Sequence, residues 1–308
     1  MRHHLLMAEF LATPWALMPE RLNAVAAVLA RWAQGVPASE EVLAGIEADR
    51  VAREARREAT RTVSSGGIAV LPLYGLITQR GNLVDEVSGS GSVSTQQFAG
   101  TLREALADDS VSQILIDIDS PGGSVYGVAE LADEIAAARG QKPIVAVANS
   151  LAASAAYWIG SSASELYVTL GGEVGSIGVW LAHFDYSQAF AAQGITPTLI
   201  SAGKFKVEGN PYAPLDEEAQ GFLQSRVNDY YASFTKAVAR GRGVPIAQVR
   251  EGMGQGRVLG AEAAQAQGMV DGVATFDEVV RKMRWEARSS ARPKVSRLAQ
   301  ARNALATL

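Results

Sequence analysis

The sequence contains no cysteine, and this absence excludes a disulfide scaffold, a thiol nucleophile and a thiolate metal site. Nitrogen bases are also scarce, because the 308 residues include only six lysines and three histidines. Arginine stays protonated in proteins and is a poor general base. Only a few side chains of this protein could therefore accept a proton from a catalytic hydroxyl.

Long apolar runs are missing as well, since no uninterrupted stretch of about 20 apolar residues occurs, and no membrane span is expected. Glu9 and Pro14 interrupt the fairly apolar stretch from Leu5 to Met18, which favours a buried helix or a docking segment over a secretory signal. The net charge of −4 does not indicate nucleic-acid binding. Hydrophobic residues make up 48% and charged residues 19%, so we expect a globular protein of the cytoplasm.

Composition divides the chain into three parts. Residues 1–65 are expected to form a helical extension, since Arg21–Ala33 carries apolar residues at helical spacing. Residues 66–280 form the main predicted domain. Residues 281–308 are basic with a single acid, and form either a solvated terminus or a charged handle for an acidic partner protein.

The main predicted domain alternates strands with helices. Apolar patterns predict strands at 68–74, 114–118, 144–148 and 166–169, and helices at 95–107, 125–139 and 154–162. Pro72, within the first of these strands, indicates a sheet edge or a bulge, and the Gly- and Ser-rich residues 79–94 indicate a surface loop. This alternation is typical of a layered α/β domain with largely parallel strands.

The first segment suited to chemistry is Asp117–Ser124, which reads Asp-Ile-Asp-Ser-Pro-Gly-Gly-Ser at the end of an apolar strand. Pro121 followed by two glycines predicts a tight turn with exposed backbone N–H groups. Glycine suits such a turn because a substrate carbonyl can approach its backbone closely. The same residues are equally compatible with a simple strand-to-helix connection.

Ser154 lies among small residues, in the order Ala-Ala-Ser-Ala-Ala, where a predicted helix begins after a strand. The free N–H groups and the partial positive charge of a helix N-terminus stabilise a developing oxyanion. Serine is also a common helix N-cap, so this position alone does not distinguish a nucleophile from a cap.

Two of the six lysines, Lys204 and Lys206, lie close together in a segment with Gly and Pro turn signals. A surface lysine is the commoner explanation for either one. A serine nucleophile needs a base, however, and a lysine can serve where burial lowers its pKa and keeps the amine neutral. Phe205 and Val207 flank Lys206 and are expected to help dehydrate it. Because Ser154 and Lys206 are 52 positions apart, the pair must meet through tertiary folding.

Taken together, these three segments resemble the signal peptide peptidase A family of serine–lysine proteases, within the Clp-protease/crotonase superfamily. The likeness runs from Ile68 to about Val280, and it also includes Gly175-Ser-Ile-Gly178. It implies a crotonase-like layered α/β fold with largely parallel strands. It also implies an active site made of the nucleophile Ser154, the general base Lys206 in preference to Lys204, and an oxyanion hole of the Gly123 and Ala155 backbone N–H groups.

Within that family, the nearer likeness is to head-maturation (capsid assembly) proteases of tailed phages. Gly66–Pro72, Gly175–Val179 and Lys206–Tyr212 carry this likeness. It implies a homo-oligomeric serine endopeptidase without cofactor or metal, acting on scaffold, portal or other head proteins. The expected location is the host cytoplasm or the inside of the immature capsid. Some relatives continue into a scaffold-like C-terminal region, whereas this sequence stops at Leu308, so we expect a separate scaffold.

Other interpretations remain open. His183 and Asp185 could form a Ser–His–Asp triad, and Ser150 and Ser176 are alternative hydroxyls. A cellular signal-peptide-peptidase-like protease, a crotonase-type acyl-CoA enzyme and a non-catalytic capsid assembly factor would each share part of the pattern. The spacing of the acids and histidines does not suggest a metal-ligand cluster.

Overall fold

The computed structural model describes residues 13–18, 67–80 and 92–291. The helices predicted within residues 1–65, the greater part of the predicted 79–94 loop and most of the basic tail lie outside the described residues. The division of the chain into three parts therefore stays a prediction. Within the described ranges, no helix is long and apolar enough to cross a membrane.

Two sheets organise the described residues. The smaller sheet contains β1 (Trp15–Leu17), β3 (Leu76–Thr78), β4 (Ser92–Ser94) and β6 (Gly122–Ser124). The larger sheet contains β2 (Ile68–Tyr74), β5 (Gln113–Ser120), β7 (Ile144–Ala153), β8 (Glu165–Val168), β9 (Glu173–Gly175), β10 (Val258–Gly260) and β11 (Gly272–Val273).

Helices connect and cover these strands. They are α1 (Thr95–Ala107), α2 (Val128–Ala138), α3 (Ala155–Gly160), α4 (Ser187–Ala192), α5 (Glu217–Arg242), α6 (Ile246–Glu251), α7 (Ala261–Ala266) and α8 (Phe276–Ala291). The last of these helices crosses the predicted boundary at residue 280, and Met283 beyond that boundary is fully buried.

Most strand pairs are parallel. The larger sheet has the order β10-β9-β7-β5-β2, with β8 paired to β7 and β11 paired to β8, and its one antiparallel pair among these strands is β9–β10. The smaller sheet has the order β1-β6-β3-β4, in which β1–β6 is antiparallel. These sheets confirm the predicted α/β class with largely parallel strands, and Pro72 lies on the strand at one edge of the larger sheet as formed by the described residues.

Side chains alternate between two cores along the central strand β5. Ile114, Ile116 and Ile118 face the core formed with α1, α2, α3 and α5, whereas Leu115 faces the opposite core with α8. Such alternation follows from the two-residue period of a strand. The layered arrangement buries both faces of the sheet, as expected for parallel strands.

Strand β7 is longer than its sequence pattern predicted. The pattern indicated an end at Ala148, because Asn149 and Ser150 interrupt the apolar run and are exposed. The backbone nevertheless continues, pairing first with β8 and then, through Leu151–Ala153, with β9. This extension delivers the chain directly to Ser154.

Candidate active site

Ser154 occupies a sharp turn between the end of β7 and the start of α3, with φ 56° and ψ −118°. A positive φ is strained for any residue with a Cβ, and such strain is concentrated at functional sites. A serine on a strained strand-to-helix turn is the arrangement of a nucleophile elbow, which exposes the hydroxyl to a bound substrate. The Ser154 amide donates to the Gly175 carbonyl at 2.7 Å, and its carbonyl accepts from the Trp158 amide at 2.9 Å, so neighbours hold the turn on both sides.

The Ser154 hydroxyl is only weakly engaged. It donates to the Gly178 carbonyl at 3.5 Å, which is long for an O–H···O hydrogen bond. Ser176, one of the alternative hydroxyls, lies in the turn between these groups with φ 54°, and its amide donates to the Arg257 carbonyl at 2.8 Å. Ser150 lies within β7 and is exposed. Of the three serines, Ser154 alone combines burial with a position at the start of a helix.

The two glycines of the Pro-Gly-Gly turn lie against this serine. A Cβ on Gly122, which has φ +98°, would lie 3.0 Å from Ser154 Cβ and would overlap the Ala16 carbonyl oxygen. A Cβ on Gly123 would overlap the backbone of Ile77 in β3. Only glycine therefore fits at either position, and β6 approaches Ser154 through backbone atoms alone.

The N–H group of Ala155, at the start of α3, is the second predicted oxyanion donor. Ala155 is the first residue of that helix, so its N–H has no acceptor in a preceding helical turn. It follows Ser154 directly, and it is fully buried. The predicted oxyanion donors thus lie on two elements next to Ser154: Gly123 is in β6 and Ala155 is in α3.

Among the described residues, no hydrogen bond joins the lysine segment to the Ser154 hydroxyl. Lys206 is exposed, in a turn where its amide donates to the Gly203 carbonyl at 3.1 Å. Phe205 is 52% exposed, so it does not dehydrate Lys206 there as the sequence led us to expect. Lys204 Nζ forms an ion pair with Glu218 Oε1 at 2.8 Å. The hydroxyl of Ser154 bonds to a backbone carbonyl and not to either lysine.

The alternative triad is not assembled among the described residues. His183 Nε2 lies 3.1 Å from the Asn210 carbonyl oxygen. Hydrogen bonding by the Ser187 side chain, and then by the Ser187 amide at 2.8 Å, lowers the pKa of the Asp185 carboxylate, with a smaller contribution from His183. Asp185 therefore bonds to the backbone at the start of α4, whereas His183 contacts the backbone at Asn210.

Strand β1 was not predicted at this site. Its residues Trp15, Ala16 and Leu17 are buried, and they pair with β6 beside Ser154. At these three positions the segment is therefore a docked strand and not the helix considered for this stretch, whereas residues 5–12 of the stretch lie outside the described residues.

The predicted α/β domain agrees with a comparison to protein-family models, in which residues 136–290 match peptidase family S49. The chain belongs to peptidase family S49. The Clp-protease-like fold of family S49 fits the largely parallel sheets described above. The match includes Ser154 and the lysine segment, and it ends within α8.

Relatives within family S49 include phage and cellular proteins. Capsid assembly protease C of Escherichia phage lambda is 34% identical over 228 residues, which cover 74% of this chain and 51% of that protein. Head-tail preconnector protein GP5 of Enterobacteria phage P21 is 36% identical over 202 residues, or 66% of this chain and 38% of that protein. Chloroplastic serine protease SPPA of Arabidopsis thaliana is 25% identical over 210 residues, or 66% and 31%. The predicted resemblance is confirmed, and the chain spans about half the length or less of these relatives.

Proposed function

We propose that this protein is a serine endopeptidase that uses Ser154 as nucleophile and Lys206 as general base to process head proteins of a tailed phage. The observation that carries this proposal is the strained turn of Ser154 beside the backbone of Gly122 and Gly123. Membership of family S49 supports peptide hydrolysis. The printed names of the two phage relatives, which refer to capsid assembly and to the head-tail preconnector, support head proteins as substrates.

The proposed reaction follows from these groups. Neutral Lys206 accepts the proton of Ser154 Oγ while Oγ attacks the scissile carbonyl carbon. The N–H groups of Gly123 and Ala155 bind the oxyanion, and the protonated lysine then gives its proton to the departing amine. A water molecule hydrolyses the acyl-enzyme with the same lysine as base. Removal of the base or of one oxyanion donor is expected to cost about 10²-fold or more in rate.

The exposure of Lys206, which makes no hydrogen bond to Ser154 among the described residues, supports self-association as part of this proposal. Residues 183–216, here called the arm, contain Lys206 and expose seven large apolar side chains: Phe184, Tyr186, Ile195, Leu199, Ile200, Phe205 and Tyr212. A concentration of exposed apolar side chains of this size marks an interaction surface. A second copy packed against the arm would bury Phe205 and dehydrate Lys206. We therefore expect the serine–lysine pair to become complete in a homo-oligomer.

The partners and the place of action follow from the proposed substrates. We expect the enzyme to meet scaffold, portal or other head proteins in the host cytoplasm or inside the immature capsid. Only a neutral lysine amine can accept the serine proton, so activity should rise with pH. A flat profile between mildly acid and mildly alkaline pH would argue against a lysine base.

The test uses the wild type and three variants, Ser154→Ala, Lys206→Ala and Lys204→Ala. Each is treated with a fluorophosphonate that labels nucleophilic serines, and each is co-expressed with scaffold and portal proteins whose intact masses are then measured. We expect labelling and fragments from the wild type and from Lys204→Ala, the matched lysine control, and neither from the other two. Identical fragments from all four proteins would show that Ser154 and Lys206 are not the catalytic pair.

A further inference from the structure

Residues 14–18, here called the N-terminal segment, lie along β6 as an antiparallel strand. The Val125 amide donates to the Pro14 carbonyl at 3.2 Å, and the Met18 amide donates to the Pro121 carbonyl at 3.3 Å. These two bonds tie both ends of the segment to the Pro-Gly-Gly turn and the strand that follows it.

The opposite edge of the N-terminal segment is also paired. The Trp15 amide donates to the Trp180 carbonyl at 2.9 Å, and the Trp180 amide donates to the Trp15 carbonyl at 3.0 Å. The indole Nε1 of Trp180 donates to the Leu17 carbonyl at 2.8 Å. The segment therefore fills a groove between β6 and Trp180, and backbone groups bind it from both sides.

The register places Ala16 opposite Gly123, the predicted oxyanion donor. Hydrogen-bonded pairs alternate with non-bonded pairs along an antiparallel ladder. The pairs Pro14–Val125 and Met18–Pro121, two residues to either side of the pair Ala16–Gly123, are hydrogen-bonded. The pair Ala16–Gly123 is therefore also a hydrogen-bonded pair, and the Gly123 N–H faces the Ala16 carbonyl. A Cβ on Gly122 would contact both the Ala16 carbonyl oxygen and Ser154 Cβ. The Ala16 carbonyl therefore lies close to the Ser154 side chain.

A protease needs this arrangement for its substrate. The scissile carbonyl must reach the oxyanion donors beside the nucleophile, and an extended peptide is commonly fixed by adding a strand to an exposed edge. The Ala16 carbonyl is in this position, and its side chain is fully buried, between the buried Trp15 and Leu17. A small residue flanked by large apolar residues therefore fits the groove.

We propose that the groove between β6 and Trp180 is the substrate-binding site, and that the N-terminal segment occupies it as a built-in competitor. The preferred substrates are extended segments with a small residue opposite Gly123 and large apolar neighbours. This inference rests on the proposed function, because the groove is a substrate site only if Ser154 is the nucleophile. A tethered segment has an effective concentration of about a millimolar, so a substrate binds well only after the segment leaves.

The test measures occupancy of the groove in the full chain. The probe is a fluorescent peptide with the sequence of residues 13–18, and its binding is measured in the Ser154→Ala background so that turnover does not interfere. Ala16→Asp places a charge at a fully buried position and should release the N-terminal segment. The double variant Trp15→Ala/Leu17→Ala releases it by loss of buried apolar area, and Ala107→Asp at an exposed position is the matched control.

We expect the peptide to bind about tenfold or more tightly to either release variant than to the parent or to Ala107→Asp. In the chain that retains Ser154, release should also speed fluorophosphonate labelling, and the peptide should slow it again. Peptide binding without labelling would show only that the N-terminal segment is a displaceable occupant of the groove, and it would contradict both the proposed nucleophile and the substrate-site assignment. Labelling in all variants, with no binding or competition by the peptide, would overturn this inference and leave the proposed function intact.

Discussion

The rings of Trp158 and Phe234 stack with 4.7 Å between their centroids and 8° between their planes. Trp158 belongs to α3, the short helix that begins directly after Ser154, and Phe234 belongs to α5. Both rings are almost fully buried. This contact fixes the helix on which the candidate nucleophile depends.

We therefore expect Phe234→Ala to reduce the free energy of unfolding by about 3–5 kcal/mol, because it removes the stacked ring and leaves a cavity. Urea denaturation followed by circular dichroism measures this loss. Phe222→Ala, which truncates an exposed ring on the same helix, should change stability by no more than about 0.5 kcal/mol. Equal losses in the two variants would show that the stack contributes nothing specific.

A methyl group at Gly123 should disable the site. It would overlap the Ile77 backbone, so β6 must shift and the Gly123 N–H must leave the position proposed for an oxyanion donor. We expect Gly123→Ala to slow fluorophosphonate labelling by about 10²-fold. Gly100→Ala is the control, since a Cβ there meets open space within α1 and should stabilise the helix by roughly 0.5–1 kcal/mol. Normal labelling of Gly123→Ala would exclude that N–H from the oxyanion hole.

The ion pair between Arg242 and Asp271 should make the stability of the fold depend on pH in the acid range. Arg242 Nη1 lies 2.7 Å from Asp271 Oδ2, which also accepts from the Leu166 amide at 2.7 Å. Burial raises the pKa of Asp271, but these hydrogen bonds and the charge of Arg242 outweigh burial and hold the pKa below its ordinary value. The contribution of the Asp271 carboxylate to the free energy of unfolding is therefore present above the unfolded-state pKa of about 4, and it is lost as pH falls through the lower native pKa.

Asp271→Asn should accordingly reduce the free energy of unfolding by about 1 kcal/mol at neutral pH, because solvent screens a side chain that is 37% exposed, and by progressively less as the pH falls below about 4. Urea denaturation at several pH values measures the difference. Asp133→Asn is the matched control, because its partner Arg240 is 51% exposed and such surface pairs contribute little. A pH-independent loss in Asp271→Asn would contradict the electrostatic origin.

The arm gives a separate prediction about assembly. Ile200 is 95% exposed, so Ile200→Glu should leave the folded chain stable while it introduces a charge into the proposed contact between copies. Mass photometry should then detect the single chain, and fluorophosphonate labelling should fall about 10²-fold as Lys206 loses its partner surface. Leu170→Glu, at another exposed apolar position outside the arm, should alter neither result. An unchanged oligomer in Ile200→Glu would remove the arm from the interface.

Local patterns predicted much of the fold. The bounds of β2 and α1 agree with their predictions, because each apolar run is complete within the element. The extension of β7 was missed, since two exposed polar residues interrupt its pattern although the backbone pairing continues. The predicted 79–94 loop ends in the short strand β4, which depends on pairing with β3.

The candidate site also contains some residues that local sequence predicts and others whose position depends on distant parts of the chain. Ser154 and the Pro-Gly-Gly turn could be selected from local signals, because their chemistry depends on neighbouring residues in the chain. The position of Lys206 depends on contacts that local sequence does not encode, and the strand around Ala16 exists only through pairing with β6 and Trp180.

The indole hydrogen bond joins Leu17 and Trp180, which are 163 positions apart along the chain. A ribosome adds roughly 5–20 residues per second, so the beginning of the chain waits on the order of ten seconds for this partner to be made. The groove between β6 and Trp180 can form only after that delay, and by then the N-terminal segment is already attached to the same molecule. If the N-terminal segment competes for the groove as proposed, it is present at the moment the groove forms, and each newly synthesised copy folds with its groove occupied.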